Sequence, residues 1–378
     1  MNISELHIEN LRNHSNTSLD FCNGINIITG LNGAGKTTIL EAIYICCFSK
    51  SFQPTPEKEL ILKYKDHYSL NLKARSDYNS NYSINVSYKI NDKKRISSSL
   101  GENLLPKDII GAIPIVVLNP DYKNITFGAP QNRRDFIDKV LSQTNKLYFE
   151  NLIKLKRALK QKNYLLSISK KNKHFDYAQI DTWSDLILEL STDIVFKRIE
   201  FVNIFKNYFF ETYAEVSKNA EEIDLIYAPN GIGLLYNNID RIQLKETFKQ
   251  FQISKRSDEF NRGATIVGPQ KDEIKIIVNG GIAKDYASQG QHKSLLISLK
   301  FAEFHFLKDR HNETPILLLD DIFAELDDIR SELVLNLIND HKVQTFITTT
   351  ENNKFNNLLN NQINIKQFNV KDGITSYI

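Results

Sequence analysis

A glycine-rich segment near the start of the chain has the residue types and spacing of a phosphate-binding loop. Residues 30–37 read Gly-Leu-Asn-Gly-Ala-Gly-Lys-Thr and fit G-x-x-x-x-G-K-[ST]. Glycines let backbone N–H groups approach a phosphate without a Cβ clash, and the helix that follows points its positive end at the anion. In this pattern Lys36 reaches the β and γ phosphates of ATP and Thr37 places its hydroxyl on Mg²⁺. The predicted nucleotide contacts of this segment are Gly30, Asn32, Gly33, Gly35, Lys36, Thr37 and Thr38.

An apolar run far along the chain delivers two carboxylates. Residues 316–319 are Ile-Leu-Leu-Leu and are followed by Asp320 and Asp321. Ligands of α/β proteins bind at the carboxyl ends of such strands. We predict that Asp320 holds Mg²⁺ together with Thr37, and that Asp321 orients or deprotonates the attacking water in phosphoryl transfer, with Lys36 as the third catalytic residue. The alternative is a strand that ends in acidic surface residues, and the glycine loop makes it the weaker interpretation.

A third segment, Ser288-Gln289-Gly290-Gln291, lies just before the acidic strand. The simple interpretation is that the serine caps the helix that follows. The alternative is that the segment meets the γ-phosphate of a nucleotide held by another copy of the chain. The order of the motifs, ending in residues 324–327 (Ala-Glu-Leu-Asp), is that of an ABC-type ATPase head and favours the second interpretation.

Hydrophobic periodicity indicates the elements that position these residues. A short apolar strand feeds the glycine loop, and two alternating segments form an antiparallel meander. The pattern becomes helical from about residue 130, and residues 178–219 would span roughly 60 Å as one helix. Further strands are expected at 113–118, 225–227, 274–278 and 316–320. We predict an α/β fold with a mixed sheet, in which a head (residues 1–127 and 223–378) is split by an inserted helical lobe (128–222).

Bulk composition sets the class of protein. The chain has 378 residues, with 48 basic and 45 acidic side chains, so its net charge of +3 neither demands nor excludes nucleic acid. Its three cysteines have no spacing suited to zinc, which favours a reducing compartment. No signal peptide is visible, and no apolar run approaches the roughly 20 residues that span a bilayer. We expect a soluble, cytoplasmic and nucleoid-associated protein without a membrane partner.

These motifs together resemble the RecF family of bacterial recombination and gap-repair proteins over essentially the whole length. The Ser-Gln-Gly-Gln sequence and the pair Asp320-Asp321 are more specific than a generic ABC signature. Two departures concern Gln270-Lys271, where the family usually has His-Arg, and His292, where it often has Gln. The matching segments, read from the sequence, are 8–13, 30–37, 116–121, 128–138, 268–273, 287–294 and 319–327.

The resemblance implies a head like those of SMC proteins, with a short helical second lobe. It implies that ATP drives two heads together and that each places Ser288 and its neighbours Gln289, Gly290 and Gln291 on the other's nucleotide. It also implies that Arg12 contacts a nucleotide phosphate and that Thr348 or Thr349 senses the γ-phosphate. Slow hydrolysis would then act as a timer for DNA release, and RecR and RecO would be partners in loading recombinase at gaps.

A basic segment supports a DNA partner. Residues 146–173 hold nine basic side chains against one acid, Glu150, a local charge of +8. Such a run is often only a solvated face, but with the resemblance we favour contact with the DNA backbone. No element looks built to read bases and few aromatics interleave, so binding should be sequence-independent. The resemblance alone implies single-stranded and gapped DNA as the expected forms. Arg133 and Arg134 have two interpretations, DNA contact or packing at the lobe junction. The predicted DNA contacts are Lys154, Lys156, Arg157 and Lys160.

Two other classes of function remain open. The motor subunit of a transporter would usually carry Ser-Gly-Gly in its signature, and both Ser-Gln-Gly and the basic helical insertion argue against it. In a non-catalytic clamp, ATP binding alone would do the work and Asp321 would be vestigial.

Overall fold

The computed structural model describes residues 1–99, 101–218, 221–232, 240–350 and 364–378. The chain divides into two compact units. The first comprises Met1–Tyr122 and Leu296–Ile378, and the second comprises Lys123–Leu295.

Two sheets build the first unit. One is antiparallel, with strand order β2-β1-β4-β5-β6, and the other has the order β14-β13-β3-β12-β11-β7. In the second sheet all neighbours are parallel except β13 and β14. The strands are β1 (Asn2–Leu11), β2 (His14–Asp20), β3 (Ile25–Thr29), β4 (His67–Arg75), β5 (Asn81–Lys89), β6 (Arg95–Ser98), β7 (Ile115–Leu118), β11 (Ile316–Asp320), β12 (Thr345–Thr349), β13 (Ile365–Lys371) and β14 (Ile374–Tyr377).

One helix forms the centre of this unit. Helix α1 (Lys36–Phe48) packs against strands of both sheets, and every residue in it except Thr37 is buried. This explains its almost uninterrupted apolar sequence, because a helix covered on all sides needs no polar face. Other helices of this unit are α2 (Glu57–Leu60), α3 (Pro106–Ile109) and α11 (Asp328–His341).

The order of the parallel strands brings the predicted motifs together. Strand β12 lies between β3 and β11, with Thr348 opposite Ile28 on one side and Asp320 on the other. Since parallel strands end at the same edge of a sheet, the glycine loop after β3 and the carboxylates at the end of β11 lie side by side.

The second unit is mostly helical. Two long helices, α6 (Lys146–Asn172) and α7 (Tyr177–Ser217), pack along each other, and α7 is continuous over 41 residues, about 60 Å. A three-stranded antiparallel sheet is formed by β8 (Ile223–Ala228), β9 (Glu273–Val278) and β10 (Gly281–Ile282). The other helices are α4 (Asn124–Phe127), α5 (Pro130–Thr144), α8 (Arg241–Arg262) and α9 (Ala283–Tyr286), and α10 (Gln289–His311) contributes residues to both units.

The division differs from the predicted boundaries. Residues 223–295 were expected in the head, but they belong to the compact unit that contains the long helices. The physical reason is that β8 and β9 pair with each other and α8 packs on α6 and α7. A buried Arg198, which binds Asp138 and Asp272, adds a polar link between α7, α5 and the start of β9.

Candidate nucleotide-binding site

The predicted phosphate loop borders an open cleft of about 400 Å³ in the first unit. The lining combines backbone donors, one lysine, hydroxyls and one carboxylate, a composition suited to a phosphorylated ligand with a hard cation. The residues that line it are Arg12, Asn13, Asn32, Gly33, Gly35, Lys36, Thr37, Thr38, Asp321 and Thr348.

Two glycines of the loop have backbone conformations and close neighbours that would not accommodate a side chain. Gly30 has φ +148°, and a Cβ there would lie 2.3 Å from the Val370 carbonyl oxygen. Gly35 has φ +110°, and a Cβ there would lie 2.6 Å from side-chain atoms of Asn13 and His14. The glycines therefore let neighbouring segments close in beneath the loop, in addition to leaving its N–H groups accessible.

The loop lysine is buried, with 7% of its surface exposed. Its Nζ donates to the Gly30 carbonyl at 2.8 Å and to the Leu31 carbonyl at 3.1 Å. Burial lowers the pKa of Lys36, and the charges of Asp321 and Asp320 oppose this shift. An ammonium held by neutral carbonyls can exchange them for phosphate oxygens, which bind it more strongly.

The Thr348 hydroxyl links the Asp320 carboxylate to the backbone of Asp321 at the end of β11. Thr37 and Thr348 both donate to Asp320 Oδ1, at 2.8 and 2.7 Å. The Thr348 oxygen also accepts the backbone N–H of Asp321 at 2.9 Å. Thr348 thus bridges Asp320 and Asp321. Burial raises the pKa of Asp320, against the effect of its two hydroxyl donors.

The carboxylate of Asp321 is not fully hydrogen-bonded within the described part of the chain. Its Oδ1 is buried and has no hydrogen-bond partner among the described residues, and its backbone is in the left-handed region at φ 51°. Such an atom is expected at a site that binds a ligand or water. Together with the Thr37 hydroxyl and the Asp320 carboxylate it offers the oxygen donors that Mg²⁺ prefers, so these residues fit that cation.

Arg12 also lines the cleft. Its guanidinium binds both carboxylate oxygens of Glu41, with an Nη2–Oε1 distance of 2.8 Å, and also reaches Gln53 and Thr55. The ion pair with Glu41 raises the pKa of Arg12. Arg12 borders the space a nucleotide would use while its charge is already paired.

Sequence reasoning assigned no role to four residues that shape the cleft. Asn13 and His14 donate to carbonyls of the phosphate loop, and Gly373 binds the same loop through its N–H. Glu41 holds Arg12. A lone carboxylate in the apolar α1 was a usable signal for Glu41, because buried charges need a partner. No pattern relates Gly373 to a loop so far away in the sequence.

The Ser288–Gln291 segment belongs to the second unit. Gln291 N–H donates to Ser288 Oγ at 3.2 Å, and Gln291 Oε1 accepts the Ser288 N–H at 2.6 Å. The serine therefore caps α10, as in the simple interpretation, and both Ser288 and Gln289 are exposed. His292, which stands where the family often has Gln, packs edge-to-face on Phe127, with ring centroids 5.7 Å apart.

The basic segment is only partly a surface. Its four predicted DNA contacts are exposed on α6, whereas Lys162 is buried and binds Glu259 at 2.6 Å. Arg133 and Arg134, for which the sequence left DNA contact and packing as alternatives, are buried as well. Arg133 binds Glu273 at 2.9 Å, and Arg134 donates to the Asp272 carbonyl at 2.5 Å. These contacts hold both side chains within the second unit, and a role of either arginine in DNA contact stays a prediction.

Comparisons with known proteins assign the chain to a family. The model of the RecF/RecN/SMC N-terminal domain matches residues 2–376. The DNA replication and repair protein RecF of Chloroherpeton thalassium is 34% identical over 356 residues, 94% of this chain and 96% of that protein. The chain belongs to the RecF family. RecF of Bacillus thuringiensis is 33% identical to this RecF-family chain over 350 residues, 93% of the chain and 92% of that protein.

Solved structures agree with this assignment. The recombination mediator protein RecF with ATPrS, in the RecFOR pathway, matches with a TM-score of 0.91 at 27% identity over 100% of this chain and 98% of that one. An Smc head domain from Pyrococcus furiosus, bound to part of ScpA, matches with a TM-score of 0.56 at 16% identity over 100% and 96% of the two chains. The prediction of an ABC-type ATPase head related to SMC proteins is confirmed, and the RecF-family chain is a DNA replication and repair protein. Within the described ranges, no helix has the length and apolar character to cross a membrane.

Proposed function

We propose that the chain binds ATP with Mg²⁺, pairs with a second copy while ATP is bound, and holds DNA until slow, DNA-dependent hydrolysis releases it. In recombinational repair and replication restart, this cycle would help to load recombinase at gaps. The observation that carries the proposal is the convergence of Lys36, Thr37, Asp320, Asp321 and Thr348 on one cleft. The relatives solved with ATP and ATPrS support the choice of nucleotide.

In the bound state, the loop N–H groups and the start of α1 would surround the phosphates. Lys36 would leave the Gly30 and Leu31 carbonyls for β and γ phosphate oxygens. Thr37 and Asp320 would hold Mg²⁺, which supplies positive charge beside the phosphates. Arg12 would contact a phosphate once part of its bidentate contact with Glu41 is released.

For hydrolysis, the carboxylate of Asp321 is the group that would orient water and accept its proton. A bond forms between the water oxygen and the γ-phosphorus, and the bond from that phosphorus to the β–γ bridging oxygen breaks, so ADP and phosphate leave. The Thr348 hydroxyl oxygen accepts the backbone N–H of Asp321 and so holds the Asp321 backbone in place. Through this contact Thr348 would respond to the presence or loss of the γ-phosphate.

The second copy would complete the site. Ser288 and Gln289 are exposed at the start of α10, and the N-terminus of a helix attracts an anion. In a two-fold pair each copy would offer this segment, with Gly290 and Gln291, to the other's γ-phosphate. Hydrolysis would then be slow in the single chain, because the contacts of the partner's segment with the γ-phosphate are missing.

DNA would be held through its backbone. Lys154, Lys156, Arg157 and Lys160 are exposed on α6, and each phosphate they neutralise releases counterions. Single-stranded and gapped DNA are the proposed substrates. RecR and RecO are the proposed protein partners, and the RecFOR pathway of the relatives supports this choice.

The test is the molecular mass in solution, measured with and without ATP-Mg²⁺ and a gapped duplex. We expect the mass to double on ATP, more completely with DNA, and the DNA effect to disappear at high salt. Ser288→Arg should still bind ATP but stay a single chain, because the arginine would occupy the space of the partner's phosphate. The matched control is Ser257→Arg, which places the same side chain on the exposed face of α8. A wild-type mass that remains that of one chain with ATP and DNA would contradict the proposal.

A further inference from the structure

The peptide groups of the phosphate loop are held from below by two other segments of the chain. The Ala34 carbonyl accepts the Asn13 side-chain amide at 2.9 Å and the Gly373 N–H at 2.9 Å. The Gly35 carbonyl accepts the Nε2–H of His14 at 3.0 Å, in addition to the Thr38 N–H of α1 at 3.1 Å. We refer to Asn13, His14 and Gly373 as the carbonyl clamp.

The carbonyl clamp determines where the loop N–H groups point. In a trans peptide the carbonyl and the N–H of the next residue point in opposite directions. Holding the Ala34 and Gly35 carbonyls toward the clamp therefore directs the N–H groups of Gly35 and Lys36 away from it. Lys36 is the first residue of α1, so its N–H is one of the donors that an α-helix leaves for a ligand.

His14 is built into this position with a defined tautomer. The residue is fully buried, and its two ring nitrogens have different partners. A carbonyl can only accept, so Nε2 must carry the hydrogen that binds Gly35. The Thr17 hydroxyl lies 2.9 Å from Nδ1 and 3.4 Å from the Gly373 carbonyl, so in the neutral ring Nδ1 is the nearer acceptor of its hydrogen. Burial lowers the pKa of His14, although the bond to Gly35 opposes this shift.

The clamp and the glycine at position 35 depend on each other. The space that a Cβ of residue 35 would need is occupied by His14 Nε2 and the Asn13 amide, both within 2.8 Å of it. A Cβ at residue 373 would lie 2.0 Å from the Asn13 carbonyl oxygen, and Gly373 has φ +76°. Close packing of three backbone segments, rather than loose loop contacts, therefore places the imidazole under the Gly35–Lys36 peptide.

We propose that His14 is a positioning residue for ATP binding: its Nε2–H fixes the Gly35–Lys36 peptide so that the Lys36 N–H faces the nucleotide phosphate before the nucleotide arrives. The proposal rests on the proposed function of the cleft. His14 touches no nucleotide itself. Thr17 acts indirectly: by donating to Nδ1, its hydroxyl keeps the hydrogen of the neutral ring on Nε2.

The experiment compares two substitutions that differ in one donor. His14→Phe keeps a ring of similar size and removes both nitrogens, whereas His14→Gln keeps an N–H donor of similar reach. The dissociation constant for ATP-Mg²⁺ and the Tm without nucleotide are measured on the full chain. The control is His7→Phe on β1, where the histidine is half-buried and lies outside the cleft.

We expect His14→Phe to weaken ATP binding by roughly fivefold to tenfold, the value of one net hydrogen bond. His14→Gln should recover most of that loss, to within about twofold of wild type, even if both variants lower the Tm by the same amount. His7→Phe should leave ATP binding unchanged. Recovery of affinity without recovery of Tm separates positioning from a role in stability alone.

Three outcomes would overturn the inference. ATP affinity of His14→Phe equal to wild type would do so, as would equal weakening in both variants. If His14→Phe does not fold, Thr17→Val tests the same inference, since it leaves the ring in place and should weaken ATP binding about twofold. In that case the inference is contradicted if Thr17→Val binds ATP with unchanged affinity while His14→Gln also binds ATP like wild type. A wild-type chain that fails to bind ATP would instead contradict the proposed function of the cleft.

Discussion

Buried charges are arranged differently in the two units. In the second unit, Arg198 uses all three guanidinium nitrogens, on Asp138, Asp272, Tyr148 and the Pro269 carbonyl, at 2.8–3.1 Å. In the cleft of the first unit, Lys36 rests on two neutral carbonyls.

The carboxylates of the two regions show the same contrast. Asp272 has both of its oxygens bonded, one by the Asn230 N–H and the other by Arg198 and Tyr227. Asp321 has a buried oxygen without a partner in the described part of the chain. A saturated cluster specifies packing, whereas an unsaturated one retains the capacity to bind a ligand. Substitutions should therefore affect stability in one region and ligand chemistry in the other.

The largest expected effect concerns the unsaturated carboxylate. Asp321→Asn removes the proton acceptor but keeps the shape of the side chain, so ATP turnover should fall by roughly 10²–10⁴-fold while ATP affinity changes little. Turnover is measured as phosphate release in the presence of DNA. Asp340→Asn, on the exposed face of α11, is the control. Wild-type turnover from Asp321→Asn would show that Asp321 does not act in hydrolysis.

The next effect concerns the saturated cluster. Arg198→Met leaves Asp138 and Asp272 without their shared cation, and breaking such a buried pair typically costs about 3–5 kcal/mol in the free energy of unfolding. Denaturant unfolding of the second unit's helices measures this cost. Arg157→Met on exposed α6 should cost less than about 0.5 kcal/mol. A loss below about 1 kcal/mol for Arg198→Met would show that the cluster contributes little net stability.

Lys36→Ala should produce the opposite pattern. ATP affinity should fall by roughly tenfold to a hundredfold, because a charge-assisted bond to phosphate is lost. Stability without nucleotide should stay the same or rise slightly, since burial already disfavours the ammonium and lowers the pKa of Lys36. Titration with ATP and thermal unfolding test both parts, with the exposed Lys65→Ala as control. Unchanged affinity would remove Lys36 from the site.

The smallest effect concerns a half-buried histidine, His305, whose ring lies 4.7 Å from that of His341 between centroids. Burial, together with the nearby His341, lowers the pKa of His305 from 6.5 to about 4. Between these values the unfolded chain binds a proton that the folded chain does not, so His305 reduces stability as the pH falls from 6.5 toward 4. His305→Leu should flatten the pH dependence of unfolding in that window. An identical slope in both proteins would refute this assignment of the pKa.

Local patterns in the sequence predicted most of the first unit. The loop between β3 and α1, the meander and the strand that ends at Asp320 all lie where periodicity indicated, because each is set by a short run of residues. The strand predicted at 113–118 begins two residues later, at Ile115. It follows Pro114, which cannot donate to a sheet ladder.

Contacts between distant segments were beyond such reasoning. The second unit gains residues 223–295 through strand pairing and through the contact of Arg198 with Asp272, neither of which leaves a local signal. The same applies to Lys162, whose partner Glu259 lies on another helix. Charge counting along one segment therefore overstated the basic surface. The roles assigned to Ser288–Gln291 and to the exposed lysines of α6 stay predictions.

The strand that carries the phosphate loop also restricts when the cleft can form during protein synthesis. The antiparallel sheet lies within residues 2–98 and can form early. β3 instead pairs Ile25 with Thr345 on one side and with Ile365 on the other. At the usual 5–20 residues per second, a ribosome needs roughly 15–60 s to make the intervening chain. Until then the nascent glycine loop has neither neighbour strand, and a nucleotide can be bound only after translation has nearly finished.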